Sequence, residues 1–203
     1  MRIHYFASML VLVLVSGVAC SPAQPDTATT EIPVSPSPVE LAEPAPSQGE
    51  TVLSSTDNEL ELVVPEGWVT QTELHNEAQI QAANLEKETY TIVLSEEKTT
   101  LPEDLTLERH SELTRGLLVE NLADPTVTGP TEVTEINGQP ALQYEIVGSI
   151  GGIEVAYLHT TVETSDRFTQ ILAWTLPEQL EANKAELQTV TGSFRVADMT
   201  AEP

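Results

Sequence analysis

IEVAYLHTTV, residues 153–162, and RFTQILAW, residues 167–174, are the stretches that decide the fold. Each is short and rich in β-branched and aromatic residues, the composition of a strand. Successive side chains of a strand point to opposite faces. Here Val155, Ala156, Tyr157 and Leu158, then Phe168, Ile171, Leu172 and Trp174, place apolar groups on both faces. Strands of that kind lie centrally in a sheet and are covered on two sides. The remainder of the chain must therefore supply more strands and two covering layers.

Upstream, Glu132–Ile136 meets Asn137-Gly138, the strongest short hairpin signal, and Ala141–Val147 returns. Gly148–Gly152 is expected to loosen the chain before residue 153. Leu60, Leu62 and Val64 form a first strand that stops at the turn Pro65-Glu66-Gly67, with Trp68 as an apolar plug against the sheet. Ile80, Ala82 and Asn84 open a second hairpin whose return is Thr89–Leu94. A helix starts at the N-cap Thr106, and Leu107, His110, Leu113, Thr114, Leu117, Leu118 and Leu122 share one half of its wheel. Thr175-Leu176-Pro177-Glu178 reads as a capping box. It leads into a closing helix with Leu180, Leu187, Val190 and Phe194 as its apolar stripe and Gly192 as its end. The economical solution is α+β, a central antiparallel sheet flanked by helices.

Three motifs sharpen that expectation: Pro65-Glu66-Gly67-Trp68 after an opening strand, Ile136-Asn137-Gly138-Gln139-Pro140-Ala141 at a hairpin, and Ser193-Phe194-Arg195 after the last helix. Together, over residues 55–196, they resemble the PsbP-like domain. That family includes the photosystem II extrinsic subunit PsbP, its cyanobacterial lipoprotein relatives and small Ran-binding import factors. The resemblance implies an antiparallel sheet sandwiched between helices. It carries no catalytic signature to transfer, and one fold of this kind hosts unrelated functions.

The amino end carries a different message. Arg2, the apolar run Tyr5–Ala19 and the small residues Ser16-Gly17-Val18-Ala19 have the layout of an export signal, residues 1–19. The run is shorter than the roughly 20 apolar residues a membrane span needs. The small residues before Cys20, the chain's one cysteine, resemble the lipobox of bacterial lipoprotein signal peptides. In that family the thiol receives a diacylglycerol and becomes the mature amino terminus, which makes Cys20 the expected lipidation site, with palmitate among the expected acyl groups. The alternative, an ordinary secretory signal cleaved after Ala19, leaves a free thiol in an oxidising compartment. Residues 20–50 then form a disordered tether, too Pro-rich for helix or ladder. It spans about 30 Å as a coil and about 90 Å if fully extended. The folded domain occupies residues 51–203.

The chain carries 32 Asp and Glu against 8 Lys and Arg, a net charge of −24. A surface so acidic disfavours nucleic acid, whose phosphates need basic partners, and disfavours an anionic leaflet. It keeps a tethered protein soluble, and it suits a basic partner or weak divalent-cation binding. No calcium-loop spacing, Walker pattern or Gly-x-Ser-x-Gly elbow occurs, and Gly148-Ser149-Ile150-Gly151-Gly152 lacks the lysine of a phosphate loop. With Cys20 assigned to the anchor, no thiol remains for catalysis, redox work or zinc. His75, His110 and His159 are expected to be surface or packing residues.

The sequence therefore points to a membrane-anchored lipoprotein on the extracytoplasmic side, whether periplasmic, lumenal or cell-surface. It would act on a protein partner by contact, without catalytic residues, metal or cofactor. The alternatives are an envelope hydrolase using His110 or a carboxylate as base, and a small-ligand or cation-binding protein.

Overall fold

The computed structural model describes residues 49–197. Cys20, the signal segment and almost all of the tether lie outside the described residues. The elements run β1 (Thr51–Ser54), β2 (Leu60–Val64), β3 (Val69–Thr70), β4 (Ile80–Asn84), β5 (Thr89–Glu97), α1 (Leu107–Glu120) and β6 (Ala123–Thr128). They continue with β7 (Glu135–Ile136), β8 (Gln139–Ile150), β9 (Ile153–Glu163), β10 (Arg167–Thr175), α2 (Leu180–Gly192) and β11 (Arg195–Val196). The large antiparallel sheet has the order β3-β4-β5-β10-β9-β8-β6, with β7 paired to β8 alone. β9 and β10 thus sit inside the sheet, as their two-sided apolar pattern requires. The fold is α+β and PsbP-like in architecture, with one helix on each face of the sheet.

One face holds the main core. Val93, Leu158, Val162, Ile171 and Ala173 meet Leu187, Val190 and Phe194 of the α2 region. Leu60, Leu62 and Val64 of β2 join the same cluster from the smaller sheet, of order β1-β2-β11. Among the described residues, this core falls within one compact unit, Glu43–Pro203. Trp68 is buried in it and its Nε1 donates to Glu186 Oε1 at 2.8 Å.

On the opposite face α1 lies mainly over β8 and β9. Thr106 caps it, accepting from Arg109 N at 3.3 Å, which contributes about 1 kcal/mol. Its buried stripe is Leu107, His110 and Ser111, with Thr114 and Leu118 half-covered. Leu113 and Leu117, expected on the covered side, are instead exposed. The apolar arc of this helix is wider than the sheet beneath it can cover.

Two further expectations need correcting, and one strand was not anticipated. β8 runs on through Gly148 to Ile150, and only Gly151-Gly152 turns, both at positive φ. β6 forms despite Pro125, because it is an edge strand where a missing N–H costs no ladder bond. Thr175 is not a cap. Its hydroxyl accepts from Asn183 Nδ2 at 3.3 Å, and a short 3-10 turn at Pro177–Gln179 starts the helix instead. The Asn137-Gly138 turn is as expected, with both residues at positive φ.

Candidate functional site: an apolar groove beside the first helix

Because α1 sits mainly over β8 and β9, and meets β10 and β5 near its amino-terminal end through His110, the rest of that face of β10 and β5 is left without a helix among the described residues. A groove of about 430 Å³ opens there. Its floor is Ile92 of β5, Tyr157 of β9, and Gln170, Leu172 and Trp174 of β10, with Leu94 beside them. Thr114, Leu117, Leu118 and Asn121 line it from α1, Leu74 and His75 from the loop before β4, and Ile150 from the end of β8. No Asp, Glu, Lys or Arg lines it, in a chain where one residue in five is charged.

The groove is held open by its neighbours. Gln81 pins the loop: its Oε1 accepts from Leu74 N at 2.9 Å and His75 N at 3.0 Å, and its Nε2 donates to His75 O at 2.8 Å. Tyr90 stacks on Trp174, centroids 5.4 Å apart, and Tyr157 lies tilted at 5.7 Å on the neighbouring strand. The three rings form a row across β5, β10 and β9. Burial raises the pKa of the Tyr157 phenol above its ordinary value, so it stays protonated.

The histidines fall in three settings. His75 is exposed, and its Nδ1 accepts from Glu77 N at 3.2 Å. His110 is buried, stacked on Phe168 at 4.7 Å, with Nε2 2.9 Å from Glu96 Oε2. His159 is fully buried, its Nε2 3.2 Å from Thr114 Oγ1. Desolvation first, then the Arg115 charge, lowers its pKa to about 4, so the ring is neutral at ordinary pH. The Nδ1 atoms of His110 and His159 have no partner among the described residues. Thr114 Oγ1 already donates to His110 O at 3.0 Å, and no carboxylate orients His159 as a triad would. Among the described residues no three of His, Cys, Asp and Glu gather as a metal site.

Charge is distributed in the manner the composition implies. Each of the seven cations in the domain is engaged. Lys87 pairs with Glu186, Lys98 with Glu163, Arg109 with Glu112, Lys184 with Glu145 and Arg195 with Glu61. Arg167 binds both Glu59 and Asp166, and its guanidinium holds the Asp166 carboxyl below the usual carboxylate range. Arg115 lies over the Tyr144 ring at 3.8 Å. Glu96 meets His110, and Glu88 accepts from Gln179 Nε2 at 2.8 Å.

Sequence reasoning missed the groove. Its residues come from α1, β5, β8, β9, β10 and a loop, and spacing along the chain does not announce that they meet. Two signals were available: an apolar helical arc wider than one sheet face covers, and Gln170, a polar residue between Phe168 and Leu172 at an inward position of a central strand.

A PsbP-like class of architecture is what these layers define. No family model and no curated protein matches the sequence. Among solved structures, the chain is similar to cyanobacterial PsbP (CyanoP) from Synechocystis, with 16% identity and a TM-score of 0.56. That match covers 79% of this chain and 100% of the other. It is also similar to LpqN of Mycobacterium tuberculosis, a protein involved in cell envelope biogenesis. There the identity is 17%, the TM-score 0.53, and the match covers 73% of this chain and 91% of the other. At such identities the likeness is one of fold.

Proposed function

We propose that this protein is a lipid-anchored, extracytoplasmic accessory module that works by touching a membrane-associated protein, without catalysis. The observation that carries the reading is a ridge of exposed apolar side chains at one end of the domain. Leu113 and Leu117, one helical turn apart, are 46% and 63% exposed. Ile150 and Ile153, cross-strand partners at the tip of the β8–β9 hairpin, are 48% and 64% exposed. Ile150 and Leu117 line the same groove, so the four form one surface. An acidic protein that keeps such a patch uncovered is equipped for a partner. The expected export signal and the expected lipidation of Cys20 support a position near a membrane, and LpqN, a protein involved in cell envelope biogenesis, supports an envelope role on this fold.

Two experiments test it. Metabolic labelling with a fatty-acid analogue is expected to mark the protein, and Cys20→Ala to abolish the mark. Equal labelling of the variant removes the anchor. Residues 51–203, used as bait on detergent-solubilised membranes, are expected to retain a partner that the Leu113→Asp, Ile153→Asp double variant loses. Retention of nothing, or of the same proteins by both baits, removes the contact role.

A further inference from the structure

We infer that the groove beside α1 is a binding site for a small uncharged amphiphile, an apolar body bearing a carbonyl or hydroxyl. Three observations converge on that chemistry. The walls are aliphatic, and the volume of about 430 Å³ falls in the range of small-molecule pockets, roughly 300–1,000 Å³. No Asp, Glu, Lys or Arg lines the groove to hold a ligand charge, His75 at the rim already accepts from Glu77 N through Nδ1, and the acidic exterior repels anions.

The third observation is Gln170. It is only 8% exposed, on a central strand, and it lines the groove. The other buried glutamines of the sheet, Gln81 and Gln143, each bond through both amide atoms: Gln81 pins the loop, and Gln143 bonds Thr131 and Thr160. The Gln170 carboxamide takes no hydrogen bond from any described residue, and it opens into the cavity instead. The Gln170 amide is not among the sealed unpartnered atoms of the domain, so its partner must come through the groove, from water or from a ligand that replaces it. Trp174 and Tyr157 line the same floor, and their indole N–H and hydroxyl make no hydrogen bond to another described residue. A carbonyl or hydroxyl lodged there can accept from Gln170 Nε2 or Trp174 Nε1, and a hydroxyl can also donate to Gln170 Oε1. Its apolar body would lie against Leu117, Leu118 and Leu172. Because Gln81 fixes the loop wall, the site is formed before the ligand arrives.

This inference shares Leu117 and Ile150 with the protein-contact surface, and the residues chosen to test the two differ. Leu113 and Ile153 do not line the groove; Leu117 and Gln170 do. The probe is the uncharged naphthyl ketone prodan, added to residues 43–203, the compact unit that holds the described core. Trp68→Phe leaves Trp174 as the sole tryptophan, an energy-transfer donor on the groove floor. Saturable one-to-one uptake is expected, with blue-shifted prodan emission. Leu117→Asp, an exposed substitution that spares the fold, is expected to weaken uptake at least about tenfold by placing a charge in an apolar wall. Gln170→Leu is expected to weaken it about fivefold through the lost hydrogen bond, with its thermal midpoint checked alongside. Leu113→Asp should leave uptake unchanged.

Absence of saturation overturns the proposal, as does undiminished uptake by Leu117→Asp. So does equally tight uptake of the anionic dye 8-anilinonaphthalene-1-sulfonate, which would mean a non-selective apolar surface. Dimerisation that depends on Leu117, with no probe uptake, would assign the groove to a second copy of this chain and overturn it too.

Discussion

Trp68→Ala is expected to lower the stability of the domain by about 4 kcal/mol, the cost typical of emptying a buried tryptophan site. Trp68 is 6% exposed and packs in the cluster that joins β2, β4, β10 and α2. No neighbour can collapse into the space easily. Val64 and Ile80 are held by their ladders, and Leu187 by its helix. The indole also ties the turn after β2 to α2 through Glu186, which Lys87 holds from the other side. For a domain of this size, whose total stability is on the order of 5–15 kcal/mol, the loss is a large fraction. A urea titration should show the midpoint falling with the slope unchanged. Trp68→Phe, which keeps most of the packing and loses the Glu186 bond, should fall between. If alanine costs less than about 1 kcal/mol, Trp68 is a surface cover and not a plug.

The second large effect is a dependence on acid. His159 has a folded-state pKa of about 4 against 6.5 for the free side chain, so the folded protein binds its proton less readily than the unfolded chain. Stability from this residue is therefore complete above the unfolded pKa and is lost as pH falls towards the folded one. Between about pH 7 and pH 4 the loss amounts to about 3 kcal/mol. The cause is local. His159 lies under α1, facing Thr114 and the cations Arg115 and, once protonated, His110, with Glu96 attached to the far side of His110. His159→Gln keeps an amide at the Nε2 position and cannot charge. Urea midpoints for the two proteins, measured across this range, should diverge in acid by that amount. Parallel curves would mean that the ring stays neutral in both states or reaches solvent.

How far the sequence can be read depends on what each residue answers to. Asn137-Gly138 is legible because its positive φ values are a local demand that few residue pairs meet. β9 and β10 are legible because burial on both faces leaves its mark at every position. α2 is legible through Leu187 and Val190, which must be apolar to fit the core. β6 is not, since all its residues are exposed and neither Pro125 nor its neighbours answers to a packing constraint. The false cap at Thr175 shows the limit of local patterns. The hydroxyl fits a capping box in spacing, yet burial at 1% exposure and Asn183 commit it elsewhere. Leu113 and Leu117 show the same limit from the other side. A helical wheel tells which residues share a face, not how much sheet lies beneath. The groove inherits that silence, because it exists only where cover runs out.

The pairing of β2 with β11 carries a consequence of a different kind. Glu61 meets Arg195 across the ladder, and Leu60 shares a core with Phe194. The first and last parts of the domain are thus mutual neighbours, while β5 must wait for β10 before its inner edge is satisfied. A chain emerging amino end first, from a ribosome or a pore, can zip β8, β9 and β10 together from adjacent hairpins. It cannot close the barrel of contacts around Leu62 until its final residues are out. Completion is therefore a late, all-at-once event with high contact order, slow beside a helical bundle of similar size. Until then the half-made sheet stays open on the side that α2 will cover.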